Sequence, residues 1–274
     1  MFKIIIMALL IFIGMVGYDN ITDKAQPTTP VQQEQQKISK HEKSAAMALF
    51  TSLLPPKEEW PSPVHKFYLA FNMDEVIDPI RQNPNWTSLD AMSRDIPQAL
   101  IAIEDRAFYN HGAIAVEGIL RAALANINAG EVVQGGSTLT QQFVKNIFLS
   151  HEQSMERKIE EAVLSLMLED NYSKDEILEL YLNTTYFGAG STGIKQASRT
   201  YFGKAPSALT LAEAAVIASL PYAPTGLNPL ENPEGCKKRQ LLVLAAMHKY
   251  GMINQGQLAE AKAEKIRLTN GTVM

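Results

Sequence analysis

The chain has one cysteine in 274 residues and no excess of basic side chains. A single thiol, Cys236, excludes an internal disulfide and a zinc site built from several cysteines. The 25 Lys and Arg residues are outnumbered by 29 Asp and Glu residues, which argues against binding nucleic acid through bulk positive charge. The 16 glycines and 14 prolines are close to average usage, so a collagen-like or wholly disordered chain is also excluded. A globular protein of one large or two small domains remains.

The amino terminus carries the one long apolar run. Residues 4–18 are uncharged and almost wholly apolar, between Lys3 and Asp19. At about 1.5 Å per residue they reach about 22 Å, short of the roughly 30 Å hydrocarbon core, so a cleaved signal peptide and a short anchor both remain open. No clear small-x-small cleavage site follows the run, which favours an anchor. We therefore predict a membrane anchor or signal segment over 1–18, with the rest of the chain outside the cytoplasm.

The remainder divides into a linker and a globular domain. Between Asp19 and Lys43 there is no aromatic residue, and glutamines alternate with prolines and charges, so we predict a flexible polar linker over 19–59. Over 60–274 the apolar residues recur mostly at three- and four-residue spacings, which predicts a mostly α-helical domain. A short strand is predicted at 66–71. The predicted helices are 96–107, 116–129, 139–147, 152–169, 173–182, 193–201, 210–220, 233–250 and 257–265.

The predicted helix over 152–169 is the most informative of these. Its buried face would consist of apolar residues: Met155, Ile159, Ala162, Val163, Leu166 and Met167. Arg157, Lys158 and Glu161 would project together from nearly the opposite side. Taken alone, these three charges are typical of a solvated helix face.

Several familiar chemistries have no support in the sequence. The glycines at 188, 190 and 193 match the dinucleotide-binding spacing, but the residues before them look helical, so we interpret them as a turn between helices. The five histidines show no paired metal spacing. Neither Gly-x-Ser-x-Gly nor Ser-x-x-Lys occurs. Zinc hydrolases and serine acyl-transferases are therefore excluded.

Five polar motifs follow one another between residues 104 and 244. They read EDRAFYNH at 104–111, GGSTLTQQ at 135–142, RKIEE at 157–161, ILELYLN at 177–183 and RQLLVL at 239–244. In this order they resemble the peptidoglycan glycosyltransferases of glycosyltransferase family 51, whose domains occur alone or at the front of bifunctional penicillin-binding proteins. The chain departs from the family pattern at 112–115, after His111, and at Gln240, where the family has a second arginine. We expect these changes to alter local loop geometry.

The resemblance implies a fold and a reaction. The fold is a lysozyme-like, mostly α-helical domain. The reaction is the polymerisation of lipid II, a disaccharide-peptide on undecaprenyl pyrophosphate, into β-1,4 glycan strands by one inverting displacement. Glu104 lies beside an apolar stripe that can raise its pKa, which suits a general base, and the resemblance makes Glu161 the second catalytic glutamate.

The leaving pyrophosphate needs positive charge more than it needs a proton. Lys145, Arg157 and Lys158 fit that need, and Glu161 could hold these cations or a divalent ion such as Mg or Mn; no cofactor is otherwise required. Further polar residues are predicted to bind substrate: Asp105, Ser137, Thr138, Thr140, Gln141 and Gln142.

Simpler roles remain open for some residues of these motifs. Ser137 or Thr138 could cap a helix, and Asp105 could hold Arg106 or a loop. Phe108 and His111 are expected to pack or cap, and Asn183 and Arg239 to anchor loops or helices.

The implied setting is the outer face of a bacterial cytoplasmic membrane. The partners would be lipid II, the growing glycan strand, the membrane and a separate transpeptidase, because no Ser-x-x-Lys is present; nucleic acid is not expected. Exposed apolar residues within 112–129 could enter the bilayer. Two rival functions remain: a glycan-cleaving muramidase on the same fold, which the cationic residues disfavour, and a scaffold that binds lipid-linked precursors without turnover.

Overall fold

The computed structural model describes residues 68–69, 72–129, 135–149 and 154–274. By its contacts the chain divides into two units, Met1–Leu69 and Ala70–Met274, and the helices numbered α1 to α10 below belong to the second. The predicted membrane segment at 1–18 and the linker at 19–59 lie outside the described residues. Within the described ranges, no helix is long and apolar enough to cross a bilayer.

The second unit is built from helices. The described residues contain no β-strand, only two isolated bridges, Tyr186 with Thr192 and Arg267 with Val273. This confirms the predicted mostly helical fold class. The helices of the described part are α1 (Asp74–Arg81), α2 (Asp95–Glu104), α3 (Val116–Ala129), α4 (Leu139–Phe148), α5 (Met155–Asn171), α6 (Lys174–Thr184), α7 (Ile194–Phe202), α8 (Leu211–Ser219), α9 (Pro233–Lys249) and α10 (Gln255–Ala263).

Reciprocal local hydrogen bonds fix the start of four of the described helices. Thr138, Ser173, Thr210 and Asn254 each precede a helix and accept a hydrogen bond from the backbone N–H three residues later. In each case the Gln or Glu at that third position bonds back to the backbone of the capping residue, which completes a capping box. Because these contacts are local, the sequence predicts the starts of α4, α6, α8 and α10 to within two residues.

Two groups of helices form the core. In the first, α8 packs against α2 and α9, and its residues from Ala212 to Ser219 are all buried. Most of these residues are small, which lets the neighbouring helices approach closely. In the second group, α4 packs against α5 and α6. This arrangement puts the end of α2, which belongs to the first group, beside α4 of the second.

Three predictions about helix and strand positions were wrong. The strand predicted over 66–71 is helical at Tyr68 and Leu69, the two residues of it that the structure describes. Helix α1 is absent from the predicted helices; it contains Pro79, a residue that disfavours helix interiors, in its last turn. The helix predicted over 96–107 is shorter than expected. It ends at Glu104, because the backbone leaves helical geometry at Asp105.

The predicted orientation of α5 was wrong at two positions. Glu161 was expected nearly opposite the buried face but is 2% exposed, whereas Ile159, expected in the core, is 57% exposed. The buried positions are Glu161, Leu164, Ser165, Met167 and Leu168, and the burial of Met167 agrees with the prediction. Pairing with cations of the same helix compensates the buried charge of Glu161, so the polar residue can face inward.

The glycines at 188, 190 and 193 form a turn between α6 and α7, as predicted. Gly188 has a φ of 87°, and a Cβ there would lie 2.3 Å from the Pro224 carbonyl oxygen. The close backbone approach therefore requires glycine at this position.

Asn183 anchors the segment before α2, which confirms its predicted role. Its Oδ1 accepts a hydrogen bond from the Thr87 N–H at 2.9 Å, and its Nδ2 donates to the Thr87 carbonyl at 2.8 Å. Thr87 is buried, so both of its backbone groups depend on this side chain.

We expect Asn183→Ala to lower the free energy of unfolding by about 1–3 kcal/mol, because it leaves buried backbone groups of Thr87 unpaired. Urea unfolding measures the change. Asn270→Ala is the matched control: Asn270 also bonds two backbone groups, Leu230 O and Thr272 N, but it is exposed, so its loss should cost less. Equal losses for the two variants would contradict the anchoring role.

Candidate active site

Glu104 is the last residue of α2 and lies in a largely desolvated position. Gln142 Nε2 on α4 donates a hydrogen bond to Glu104 Oε2 at 3.1 Å. Burial raises the pKa of the Glu104 carboxyl, and Asp105 adds to the rise. The Gln142 hydrogen bond and the charges of Arg239 and Lys145 oppose that rise without cancelling it. A carboxylate in these surroundings can accept a proton more readily than an exposed glutamate.

Asp105, the next residue, points into the protein. Its Oδ2 accepts a hydrogen bond from the Leu139 N–H at 3.0 Å, and its Oδ1 lies 2.6 Å from His111 Nε2. Both oxygens therefore bind groups that hold the loop between α2 and α3 and the start of α4. Arg106 contacts the Tyr250 hydroxyl at 3.0 Å instead. These contacts favour the loop-holding alternative for Asp105, and its substrate-binding role stays a prediction.

The polar residues around the start of α4 divide into two sets. Thr138 and Gln141 are buried and bond to each other in the capping box, and the Thr138 hydroxyl also donates to the Ala113 carbonyl at 2.7 Å. The buried Thr140 hydroxyl donates to Glu169 at 2.5 Å. Ser137 and Gln142 are less buried: Gln142 contacts Glu104, predicted to be catalytic, and Ser137 contacts Lys158, predicted to bind substrate. The first set therefore fixes α4, and the second lies where a ligand could reach it.

Glu161 is buried and faces two cations near the start of α5. Lys158 Nζ contacts Glu161 Oε1, and Arg157 Nη1 lies 3.9 Å from Glu161 Oε2. Lys158 also donates to Ser137 Oγ at 3.2 Å, which connects this cluster to the start of α4. Arg157 Nε is buried and has no acceptor among the described residues. The structure thus brings Ser137, Arg157, Lys158 and Glu161 together, as the motifs predict.

Lys145 belongs to the surroundings of Glu104. It is exposed on α4, one turn beyond Gln142, and its charge acts on the Glu104 carboxyl. Arg239 of α9 acts on the same carboxyl, and its guanidinium carbon lies 4.2 Å from the centre of the Tyr222 ring. The sequence predicts only an anchoring role for Arg239, because nothing local in the motif indicates that α9 packs against the end of α2.

The predicted divalent ion stays a prediction. Among the described residues, no three or more His, Cys, Asp or Glu side chains are grouped in a way that could hold a metal. Glu161 Oε1 and Oε2 already face Lys158 and Arg157.

Cys236 is buried, and burial raises the pKa of its thiol to about 11, which disfavours the reactive thiolate and agrees with a structural role.

The sequence model of the family described as Transglycosylase matches residues 73–248. The chain belongs to the transglycosylase family. The match confirms the resemblance seen in the five motifs, and with it the enzyme class, a peptidoglycan glycosyltransferase of cell wall synthesis. It spans both glutamates and the whole of α1 to α8.

Relatives of this transglycosylase include short and long proteins. A Cupriavidus necator protein provisionally named a transglycosylase is 41% identical over 71% of this chain and 84% of its own length. Penicillin-binding protein 1A of Aquifex aeolicus is 45% identical over 64% of this chain, but the match covers 24% of that protein. A crystal structure of penicillin-binding protein 1A from Haemophilus influenzae, 33% identical, matches 48% of this chain and 16% of its own with a TM-score of 0.34, too low to support a comparison of folds.

The pair of His111 and Asp105 predicts a pH-dependent stability of the transglycosylase. Burial lowers the pKa of the His111 imidazole, but the hydrogen bonds to Asp105 and to the Gly112 carbonyl outweigh it and raise the pKa overall. Both ring nitrogens face oxygen atoms, which suits the doubly protonated ring. A raised folded-state pKa stabilises the fold below the unfolded-state pKa, about 6.5, and this contribution is lost as pH rises through the folded-state pKa.

We therefore expect His111→Gln to cost more stability at pH 5.5 than at pH 8.5. Urea unfolding of the native and variant chains at both pH values measures the two differences. A cost that is equal at the two values, or larger at pH 8.5, would contradict a charged His111 paired with Asp105.

Proposed function

We propose that this chain polymerises lipid II into β-1,4-linked glycan strands, with undecaprenyl pyrophosphate as the leaving group. The observation that supports the proposal is that α4 connects two different electrostatic environments. Gln142 of α4 contacts a desolvated carboxylate, Glu104, and Ser137, just before the helix, contacts the cation Lys158 of α5. A transfer that must both accept a proton and stabilise a departing pyrophosphate needs both environments.

In the proposed step, Glu104 acts as the general base. The 4-hydroxyl of the acceptor sugar gives its proton to the carboxylate while its oxygen forms the new bond to the anomeric carbon of the donor. The bond between that carbon and the pyrophosphate oxygen breaks, and its electron pair leaves with the pyrophosphate. Because the displacement is direct, an α-linked donor gives a β-linked product.

The cations of α5 are proposed to stabilise the leaving group. Arg157 and Lys158 can offer several N–H donors to phosphate oxygens, and the buried Arg157 Nε lacks an acceptor among the described residues. Glu161 pairs with both cations and so holds their side chains in place. Lys145, beside Glu104, adds positive charge on the side of the base. A divalent ion remains an open addition to this arrangement, and no step requires it.

The proposed setting is the outer face of a bacterial cytoplasmic membrane, with a lysozyme-like domain whose cleft faces the bilayer. Helix α3 supports this setting, because Val116, Ile119, Leu120 and Ile127 are all strongly exposed. Apolar side chains in contact with water on one helix are typical of a surface that contacts lipid. The segment 1–18 would anchor the chain there, and a separate transpeptidase would crosslink the product.

The central test is glycan formation from purified lipid II in detergent. We expect Glu104→Gln to lose about a hundredfold or more in rate, because amide nitrogen cannot accept the proton. Glu161→Gln should lose a comparable factor, because the cations lose their buried partner. Gel separation of the products measures chain formation in each case.

Glu213→Gln is the matched control for Glu161→Gln. Glu213 is also 2% exposed and pairs with a lysine, Lys204, at 2.6 Å, but it caps α8. It should keep most of the native rate even if it loses stability. Lipid II bound without polymer by the native chain would favour a scaffold, and shortening of preformed glycan would favour a hydrolase. Native activity in Glu104→Gln would remove Glu104 as the base.

The membrane surface has its own test. Leu120→Asp places a charge on the exposed face of α3, and we expect it to slow polymerisation of lipid II in phospholipid vesicles more than in detergent, because a charge resists burial in lipid. Leu242→Asp is the control, since Leu242 of α9 is similarly exposed, at 56% against 60% for Leu120. An equal effect of the two changes in vesicles would contradict lipid contact by α3.

A further inference from the structure

A buried tyrosine is connected to the proposed base through one intermediate residue. Tyr181 lies on α6, in the motif ILELYLN, and is 1% exposed. Its hydroxyl donates a hydrogen bond to Gln142 Oε1 at 3.0 Å. The other end of the same amide, Nε2, donates to Glu104 Oε2. One uninterrupted chain of hydrogen bonds therefore runs from α6 through α4 to the end of α2.

The direction of these hydrogen bonds follows from the groups at the two ends. An ionised carboxylate can only accept, so the NH₂ group of Gln142 must face Glu104. The amide oxygen then faces Tyr181, which must donate. Burial, together with the negative charge of Glu104, raises the pKa of the Tyr181 phenol well above its usual range, so the phenol keeps its proton. Reversing the amide would put its oxygen against the carboxylate and its NH₂ against a phenol proton.

We infer that Tyr181 is a positioning residue for the transfer reaction: its hydroxyl fixes the orientation of the Gln142 amide, and the amide fixes the Glu104 carboxylate. The inference rests on the proposed role of Glu104 as the base. Tyr181 itself is too deeply buried to contact substrate, so it acts through Gln142.

The carboxylate held in this way has two unlike oxygens. Gln142 binds Oε2, and no hydrogen-bond donor to Oε1 is found among the described residues. Oε1 is therefore the atom that we expect to receive the proton of the acceptor hydroxyl. A fixed amide also keeps this oxygen from rotating toward Gln142, which preserves the geometry that proton transfer needs.

The same contact controls the pH at which the base becomes active. The Gln142 hydrogen bond stabilises the charged form of Glu104 and so limits the rise of its pKa. The other charged groups that face Glu104 are Lys145 from α4, Arg239 from α9 and its neighbour Asp105, and none of them is altered by a change at Tyr181. A loosely held amide would leave Glu104 with a higher pKa, so the base would ionise only at higher pH.

The test is Tyr181→Phe, which removes the hydroxyl and keeps the ring. We expect the acid limb of the kcat–pH profile to move to higher pH by roughly half a unit, which is about a threefold loss of rate at the acidic end and little loss at alkaline pH. Tyr201→Phe is the matched control. Tyr201 is also fully buried and donates its hydroxyl, at 2.7 Å, but to the Phe187 carbonyl, so its acid limb should coincide with that of the native chain.

A second measurement shows whether Tyr181 acts through the amide. In a Gln142→Met chain, the acid limb should already lie at higher pH, and adding Tyr181→Phe should move it no further. If Tyr181→Phe fails to fold, the shift in Gln142→Met alone carries the test of the amide. An unshifted acid limb in either single variant, equal shifts for Tyr181→Phe and Tyr201→Phe, or additive shifts in the double variant would overturn the inference.

These outcomes are distinct from failure of the proposed function. If Glu104→Gln polymerises lipid II at the native rate, Glu104 is not the base, and the hydrogen-bond chain from Tyr181 has no role in positioning a base. If Glu104→Gln is inactive while Tyr181→Phe behaves as Tyr201→Phe does, the base stands and only the positioning role of Tyr181 is lost.

Discussion

The hydrogen bond from the Leu139 N–H to Asp105 is the contact on which the site depends. It joins the residue after Glu104 to the first residue of α4, so the end of one helix and the start of another are fixed together. Because α4 follows rigidly from its first turn, this bond also places Gln142 beside Glu104, and it places Ser137 where Lys158 of α5 reaches it. His111, on the second oxygen of Asp105, closes the loop around this junction.

The two proposed catalytic carboxylates differ in their neighbours. Glu161 is in direct contact with cations of its own helix, so its charge is compensated within one turn. Glu104 makes its hydrogen bond with a neutral amide, and no lysine or arginine of the described residues forms an ion pair with it. The Glu104 carboxylate therefore has a neutral group on Oε2, whereas the Glu161 carboxylate faces two cations directly. The difference suits one residue that exchanges a proton and another that organises charge.

The sequence predicts what is decided locally. Capping boxes such as Ser173 with Glu176 place helix starts, and the ordered motifs identify the family and indicate the two glutamates proposed to be catalytic. It does not predict contacts that depend on packing. Helical periodicity put Ile159 inside and Glu161 outside, because a hydropathy pattern cannot show that a carboxylate will be buried against cations. The same holds for the contacts of Asp105 with Leu139 and of Tyr181 with Gln142, because only folding brings α4 near these two residues.

The adjacent pair Glu104 and Asp105 shows how one step along the backbone separates two tasks. The chain leaves helical geometry at Asp105, with φ of −153° and ψ of 73°, so the two side chains point in different directions. The longer side chain, Glu104, contacts the Gln142 side chain, and the shorter one, Asp105, reaches the backbone N–H of Leu139. The two adjacent acidic side chains therefore act on different groups of the protein. Exchanging the order of the two residues would preserve composition and net charge yet misplace both carboxylates, each by about the length of one methylene group.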